Sequence, residues 1–286
     1  MWDDRKTTVL CVTAELMRYP SVYNGIVGAA KEAGHFVRII ERTSNVWCRD
    51  WMPQQVDEHY VKFGYNAMPP RLTDPPEDCW PTWIKAVKSD LNIDGGNIVR
   101  QGNRAVVTDM VFKDNKFSQR AILMKLEKDL EAEIIVIPYE PGDTLGHADG
   151  ICKFVDDDTI IIEDRACMDD PVQTEYQYHL TSRLAEAGLD VVPLVFAYHK
   201  TPKMSEAEFR AKYPKADDYN PGYGYYVNFL RMKGLVIYPV FGIPEDEEMA
   251  QSMEMLFPKT LLRPVNCADL SMEGGLVNCV TANYYA

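Results

Sequence analysis

Seven side chains able to take part in chemistry stand beside small or aromatic residues at intervals along the chain. Trp47 and Asp50 lie in Trp47-Cys48-Arg49-Asp50, and Asn97 follows Asp94-Gly95-Gly96. His147 and Asp149 lie in Gly146-His147-Ala148-Asp149-Gly150, Asn228 follows Tyr226-Val227, and Cys279 closes Gly274-Gly275-Leu276-Val277-Asn278-Cys279. A thiol, an imidazole and two carboxylates with no second histidine nearby suit covalent chemistry better than metal chemistry. A thiolate is a strong nucleophile, an imidazole passes protons near neutral pH, and two fixed carboxylates grip a planar cation through paired, charge-assisted hydrogen bonds. A guanidinium group is the natural guest. Taken singly, each residue has a plainer reading: Cys279 as a buried strand thiol, His147 as a satisfied core histidine, Arg49-Asp50 as a structural ion pair, Asp94 to Asn97 as a turn. Only convergence makes them a site, and the glycines beside them let backbone approach a ligand closely.

Convergence requires a fold that brings distant segments together, and the hydrophobic pattern supplies one. A buried-strand run at Thr7 to Thr13 is followed by a helical pattern from Pro20 to Ala33 and a strand at Val37 to Glu41. The outline then repeats. Asn97 to Val99, a Gly102-Asn103 turn, Ala105 to Thr108, a helix from Ser118 to Leu130 and a strand at Ile134 to Ile137 form one copy. Gly150 to Val155, an acidic turn at Asp156 to Asp158, Thr159 to Glu163, a helix from Pro171 to Ala187 and Val191 to Val195 form the next. Tyr226 to Met232, Leu235 to Val240, a helix from Pro244 to Phe257 and Thr260 to Val265 form another, and Gly275 to Thr281 reads as the opening strand of one more. The repeating unit is ββαβ. In a circular repeat the equivalent openings meet on the axis, so Asp50, Asn97, His147, Asp149, Asn228 and Cys279 are expected around one central cavity. Ala197 to Tyr225, rich in Tyr and Pro, reads as a long inserted loop with its own packing that can act as a lid, and Ala67 to Pro81 as a surface connection.

Composition bounds the partners. The 286 residues are 46% apolar and 26% charged, and 30 basic against 43 acidic residues give a net charge of −13. Such a surface repels phosphate backbones and anionic headgroups, so neither nucleic acid nor a membrane is expected as a partner, whereas a cationic small molecule or peptide is attracted. The apolar runs are strand-sized, well below the roughly 20 residues a bilayer requires. Seven cysteines without a Cys-x-x-Cys spacing indicate neither a zinc site nor a disulfide framework, and most are expected as buried thiols. These features point to a cytoplasmic chain, with a trimmed secreted form as the alternative.

Four motifs in register carry a resemblance. Trp47-x-Arg49-Asp50, Gly146-His147-x-Asp149, Tyr226-x-Asn228-Phe229 and Gly274-Gly275-x-x-x-Cys279-x-Thr281 occur in the order seen in agmatine deiminases and resemble the related bacterial (Porphyromonas-type) peptidylarginine deiminases. Both belong to the guanidine-modifying (pentein) superfamily. The resemblance runs from about Thr7 to Thr281 and implies an α/β fold: a five-bladed α/β propeller of ββαβ-type repeats around a central cavity, as one guanidine-modifying domain spanning residues 1–286. It implies Cys279 as nucleophile and His147 as general acid and base. Asp50 and Asp149 would hold guanidinium nitrogens, with Asn228, Trp47 and Asn97 lining the substrate. No metal and no cofactor are implied, and a homo-oligomer is compatible with it. Two departures stand out: Asn278 occupies the position where relatives usually carry histidine, and agmatine deiminases have an extra N-terminal segment. The implied reaction is hydrolysis of the guanidino group of agmatine, arginine or an arginine peptide to a ureido product and ammonia. An amidinotransferase or dihydrolase would use the same residues. A noncatalytic propeller would have no use for them, and a cysteine peptidase would gain nothing from two carboxylates beside its thiol.

Overall fold

The computed structural model describes residues 1–65, 75, 79–213 and 221–285, and within these it is a mixed α/β structure built on five three-stranded sheets. In every sheet the middle strand pairs antiparallel with one neighbour and parallel with the other. Arg104–Thr108 lies between Val99–Gln101 and Glu133–Ile137, Thr159–Glu163 between Cys152–Phe154 and Asp190–Leu194, and Leu235–Val240 between Leu230–Met232 and Leu261–Asn266. His59–Gly64 lies between Gln54–Val56 and Ala86–Asn92. The fifth sheet joins the two ends of the described chain: Ala282–Tyr284 runs antiparallel to Val9–Thr13, whose other edge takes Phe36–Ile40 in parallel.

Four of the middle strands are largely apolar and buried because both of their faces are covered, whereas His59–Gly64 is polar at His59 and Lys62 and buried only at its centre. Val9–Thr13 is buried throughout, while Phe36–Ile40 alternates until its last residue. Four of the parallel connections contain a helix: Pro20–Glu32, Gln119–Leu130, Pro171–Glu186 and Glu245–Leu256. Their starts follow from local chemistry. Pro20 and Pro171 open helices where a missing N–H does no harm. Ser118 and Asp170 accept from the backbone N–H groups of Ala121 and Val172. The acidic residues from Glu245 to Glu248 occupy a first helical turn, as expected for carboxylates near the positive end of the dipole.

Several expectations need correction. Gly275 to Thr281 is not a strand. Val280 N–H returns to Leu276 O, and Thr281 Oγ donates to Val277 O, so the segment coils into turns and pairing starts only at Ala282. Tyr226 to Asn228 is also outside its sheet, because Glu163 Oε1 takes the Val227 N–H at 2.8 Å and strand pairing begins at Leu230. Gly150, read as the start of a strand, ends the 3-10 turn Ala148–Gly150, which His147 precedes, and pairing begins at Cys152. The insertion from Ala197 contains a helix, Glu206–Lys212, opened by a reciprocal Ser205–Glu208 cap, so it is not wholly loop. Its residues 214–220 lie outside the described residues, as does most of Ala67 to Pro81. No helix among the described residues is long and apolar enough to cross a membrane. Cys11, Cys48, Cys79, Cys152 and Cys267 are buried, and the Cys167 side chain lies outside the described residues.

Candidate active site

Short turns just before the sheets carry the polar residues to one place. Asp50 sits on the single helical turn Cys48–Trp51, whose Arg49 N–H reaches Cys279 O at 3.2 Å. Asp94 precedes the Gly95–Asn97 turn, and His147 precedes the Ala148–Gly150 turn that holds Asp149. Thr108 Oγ donates to Gly146 O, and Asp143 takes the Gly146 N–H, which fixes the approach to His147.

The Cys279 thiol donates to Asn228 Oδ1 at 3.5 Å and faces Asp149 Oδ2 at 3.9 Å. Asn228 holds the whole turn: its Oδ1 also accepts the Asn278 N–H at 3.0 Å, and its Nδ2 donates to Asp149 O at 3.2 Å. His147 lies between two carboxylates, with Nε2 3.1 Å from Asp94 Oδ2 and Nδ1 3.7 Å from Asp50 Oδ1. Asp50 Oδ1 accepts the Gly96 N–H at 2.9 Å. A β-carbon on Gly96 would stand 2.7 Å from both Asp50 Oδ1 and His147 Nδ1, so only glycine fits where these two side chains meet. The Trp47 ring lies over Gly275 so closely that a β-carbon there would be 2.2 Å from it. Trp47 thus walls the turn that leads to Cys279.

Electrostatics follows from this crowding. Burial works against an imidazolium, but Asp50, Asp94 and Asp149 outweigh it, and the His147 pKa is raised to about 10. Burial raises Asp50 to about 7, with Asp94 and Asp149 adding to the rise and His147 opposing it. The Cys279 thiol is pushed well above its ordinary value by burial and then by the charges of Asp149 and Asp50. The His147 and Cys279 shifts favour a charged imidazole and a protonated sulfur near neutral pH.

Of the residues singled out from sequence, Asp50, His147, Asp149, Asn228 and Cys279 are brought together, with Trp47 at the wall. Asn97 is buried beside them, but its Oδ1 takes the Thr108 N–H at 2.8 Å and so holds a strand end. Sequence reading passed over Asp94 as part of a turn, although its carboxylate is the nearer partner of His147. It also missed Lys153, whose Nζ reaches Asn278 Oδ1 at 3.0 Å, while Asn278 Nδ2 donates to Asp149 Oδ2 at 2.7 Å. The Asn278 departure therefore has a visible place: its amide links a lysine to a site carboxylate. Among the described residues no group of three His, Cys, Asp or Glu side chains is arranged to hold a metal ion.

A curated agmatine deiminase from Pseudomonas fluorescens is 29% identical over 209 residues, covering 66% of this chain and 56% of that protein. The chain spans about half the length of the curated relatives it matches. An agmatine deiminase structure from Enterococcus faecalis superimposes with a TM-score of 0.79 at 16% identity, covering 99% of this chain and 95% of that one. One from C. jejuni gives 0.76 at 16% identity, covering 100% and 95%. At such identities these structures establish a shared fold. The profile of the family described as Porphyromonas-type peptidyl-arginine deiminase matches residues 4–284, and the chain belongs to that family.

Proposed function

We propose that this chain is a guanidine deiminase: it hydrolyses the guanidino group of agmatine or a related arginine derivative to a ureido product and ammonia. Its architecture is read as a five-bladed propeller forming one domain over residues 1–286, with the site on the axis. The observation that carries the reading is the meeting of a thiol with Asp149, at 3.9 Å, in a group that also contains Asp50 and a His147 charged by its neighbours. Relatives named agmatine deiminase support the same substrate class.

A guanidinium carbon is a poor electrophile because resonance spreads its charge. Asp50 and Asp149 would hold the cation planar, each charge-assisted hydrogen bond contributing roughly 1.5–3 kcal/mol. On binding of the cation the Cys279 thiol gives its proton to solvent, the resulting thiolate adds to the central carbon, and His147 gives a proton to one nitrogen as ammonia departs, leaving a thiouronium. His147 then takes a proton from water, whose oxygen adds to the same carbon and expels the thiolate. The guest also supplies the charge the thiol lacks, since a cation between Asp50 and Asp149 offsets the two groups that suppress ionisation. Thiolate ultraviolet absorbance should appear at lower pH when a guanidine ligand is bound, and an unshifted titration would reject substrate-assisted activation.

Incubation with agmatine, free arginine and blocked arginine peptides, measuring ureido product and ammonia separately, tests the reaction. Equal amounts of both from agmatine are expected. Ureido product from the blocked peptide alone would move the chain to a peptidylarginine deiminase, transfer of the amidino carbon to an added amine with release of the substrate's alkyl amine and neither ammonia nor ureido product would make it an amidinotransferase, and no product from any of the three would overturn deimination.

Two variants probe the surroundings. Gly96→Ala pushes Asp50 and His147 apart and should lower kcat/KM by about 10²-fold, since misplacements of this size at a reacting centre cost that much. Asp94→Asn removes one of the charges that hold the proton on His147. The alkaline limb of the kcat/KM profile should therefore move to lower pH, whereas a profile with unchanged limbs would mean that Asp94 only fills space.

A further inference from the structure

A partly enclosed polar cavity of about 30 Å³ lies behind the turn that carries Cys279, lined in part by Asp4, Arg49, Arg100, Lys153 and Asn278. Three cations face it against one carboxylate, and that carboxylate is shared: Asp4 Oδ1 lies 3.4 Å from Arg231 Nε. The hydrogen bonds of the three cations go to neutral groups. Arg49 donates to Asn278 O at 3.4 Å and to Asn283 Oδ1 at 2.9 Å. Arg100 donates its two terminal nitrogens to the carbonyls of Gln55 and Leu130, and its Nε is buried with no partner. Lys153 donates to Asn278 Oδ1 at 3.0 Å. None of the three forms an ion pair with a carboxylate among the described residues, and Arg100 is only 8% exposed. In a chain of net charge −13, this surplus of positive charge is local.

Arg100 is buried, Arg49 and Lys153 are half-buried, and Lys153 feels Asp4 and Asp149 only at a distance, so the cluster holds more positive than negative charge, which is costly in such an enclosed place. Water would fill the cavity but leave the charge uncompensated. The volume has room for roughly one or two water-sized groups, and so for a monoatomic anion rather than a sulfate or phosphate. We propose that this cavity binds one small monovalent inorganic anion, with chloride as the probe, between the head groups of Arg49, Arg100 and Lys153. Burial and the Arg49 charge lower the Lys153 pKa to about 8, and an anion would hold that ammonium charged. Through Asn278, whose amide contacts both Lys153 and Asp149, the occupant would also steady the site carboxylate. The inference concerns binding alone and stands whichever substrate the chain takes.

Thermal unfolding at constant ionic strength, with sodium gluconate replaced stepwise by sodium chloride, tests it, because gluconate is too large to enter. The Tm of the unaltered protein should rise by about 2–4 °C across the series. Lys153→Met should abolish the rise, with Arg100→Gln serving if the first variant does not fold. Crystals of the unaltered protein grown in bromide should show an anomalous peak between the three head groups. Equal Tm in gluconate and chloride, a chloride response undiminished in the variants, or bromide crystals with only water in the cavity would each overturn the proposal.

Discussion

Replacing Cys279 by alanine is expected to lower kcat by roughly 10⁴–10⁶-fold while guanidine ligands continue to bind. The thiol faces Asp149 at 3.9 Å, and the groups that would hold the cation, Asp50 and Asp149, are untouched by the substitution. Ammonia release measures the first half of the prediction and calorimetric titration with agmatine the second. Residual turnover within a hundredfold of the unaltered protein would discard the covalent route, since direct attack by water would then suffice. Loss of binding together with turnover would instead mean that the Asn278–Cys279 turn had collapsed, and the Tm of the variant separates that case.

How much of this was legible in the sequence depended on whether the signal was local. The strands Thr159–Glu163 and Leu235–Val240 and the helix beginning at Pro171 fall where periodicity and proline put them, because continuous apolar runs and a missing N–H act over a few residues. The sheet formed by residues 54–92 left no such trace. Gln54–Val56 is too short to show a period, and Ala86–Asn92 is a largely exposed strand carrying lysine, serine and aspartate, with an irregular register against His59–Gly64. Gly275 to Thr281 misled for the opposite reason: its Leu276-Val277 pair looks like a strand, but Asn228, fifty residues away, takes its backbone N–H groups and bends it toward Asp149.

The site divided along the same line. Residue type marked Asp50, and residue types with nearby glycines marked His147, Asp149 and Cys279, since chemistry restricts what can stand there. Asp94 and Lys153 act through partners far along the chain, His147 and Asn278, and a carboxylate before two glycines or a lysine after a cysteine looks ordinary until the fold supplies those partners. The repeat itself was the most useful clue. It predicted that turns opening successive units would face one another, and this holds even where the strand boundaries were misjudged.

Replacing His147 by glutamine should lower kcat by roughly 10²–10⁴-fold, the range expected for loss of a proton-transfer group. It should also change the pH dependence of binding in a direction set by the geometry. His147 lies 3.7 Å from Asp50 Oδ1, and its charge is the main influence opposing the burial that raises Asp50 to about 7. Glutamine carries no charge, so Asp50 must rise further, and at neutral pH more of it is protonated and unable to pair with a guanidinium. Agmatine should then bind more weakly to the variant near pH 7 and recover as pH increases through the new Asp50 pKa, whereas the unaltered protein completes this change at lower pH. Calorimetric Kd values across pH 6–9 provide the check. A kcat loss below tenfold would remove His147 from proton transfer, and Kd profiles that superimpose would show that its charge does not reach Asp50. If both effects are found together, one imidazole serves two purposes: it keeps a buried carboxylate ionised for the arriving cation, and it gives up its proton when that cation loses ammonia.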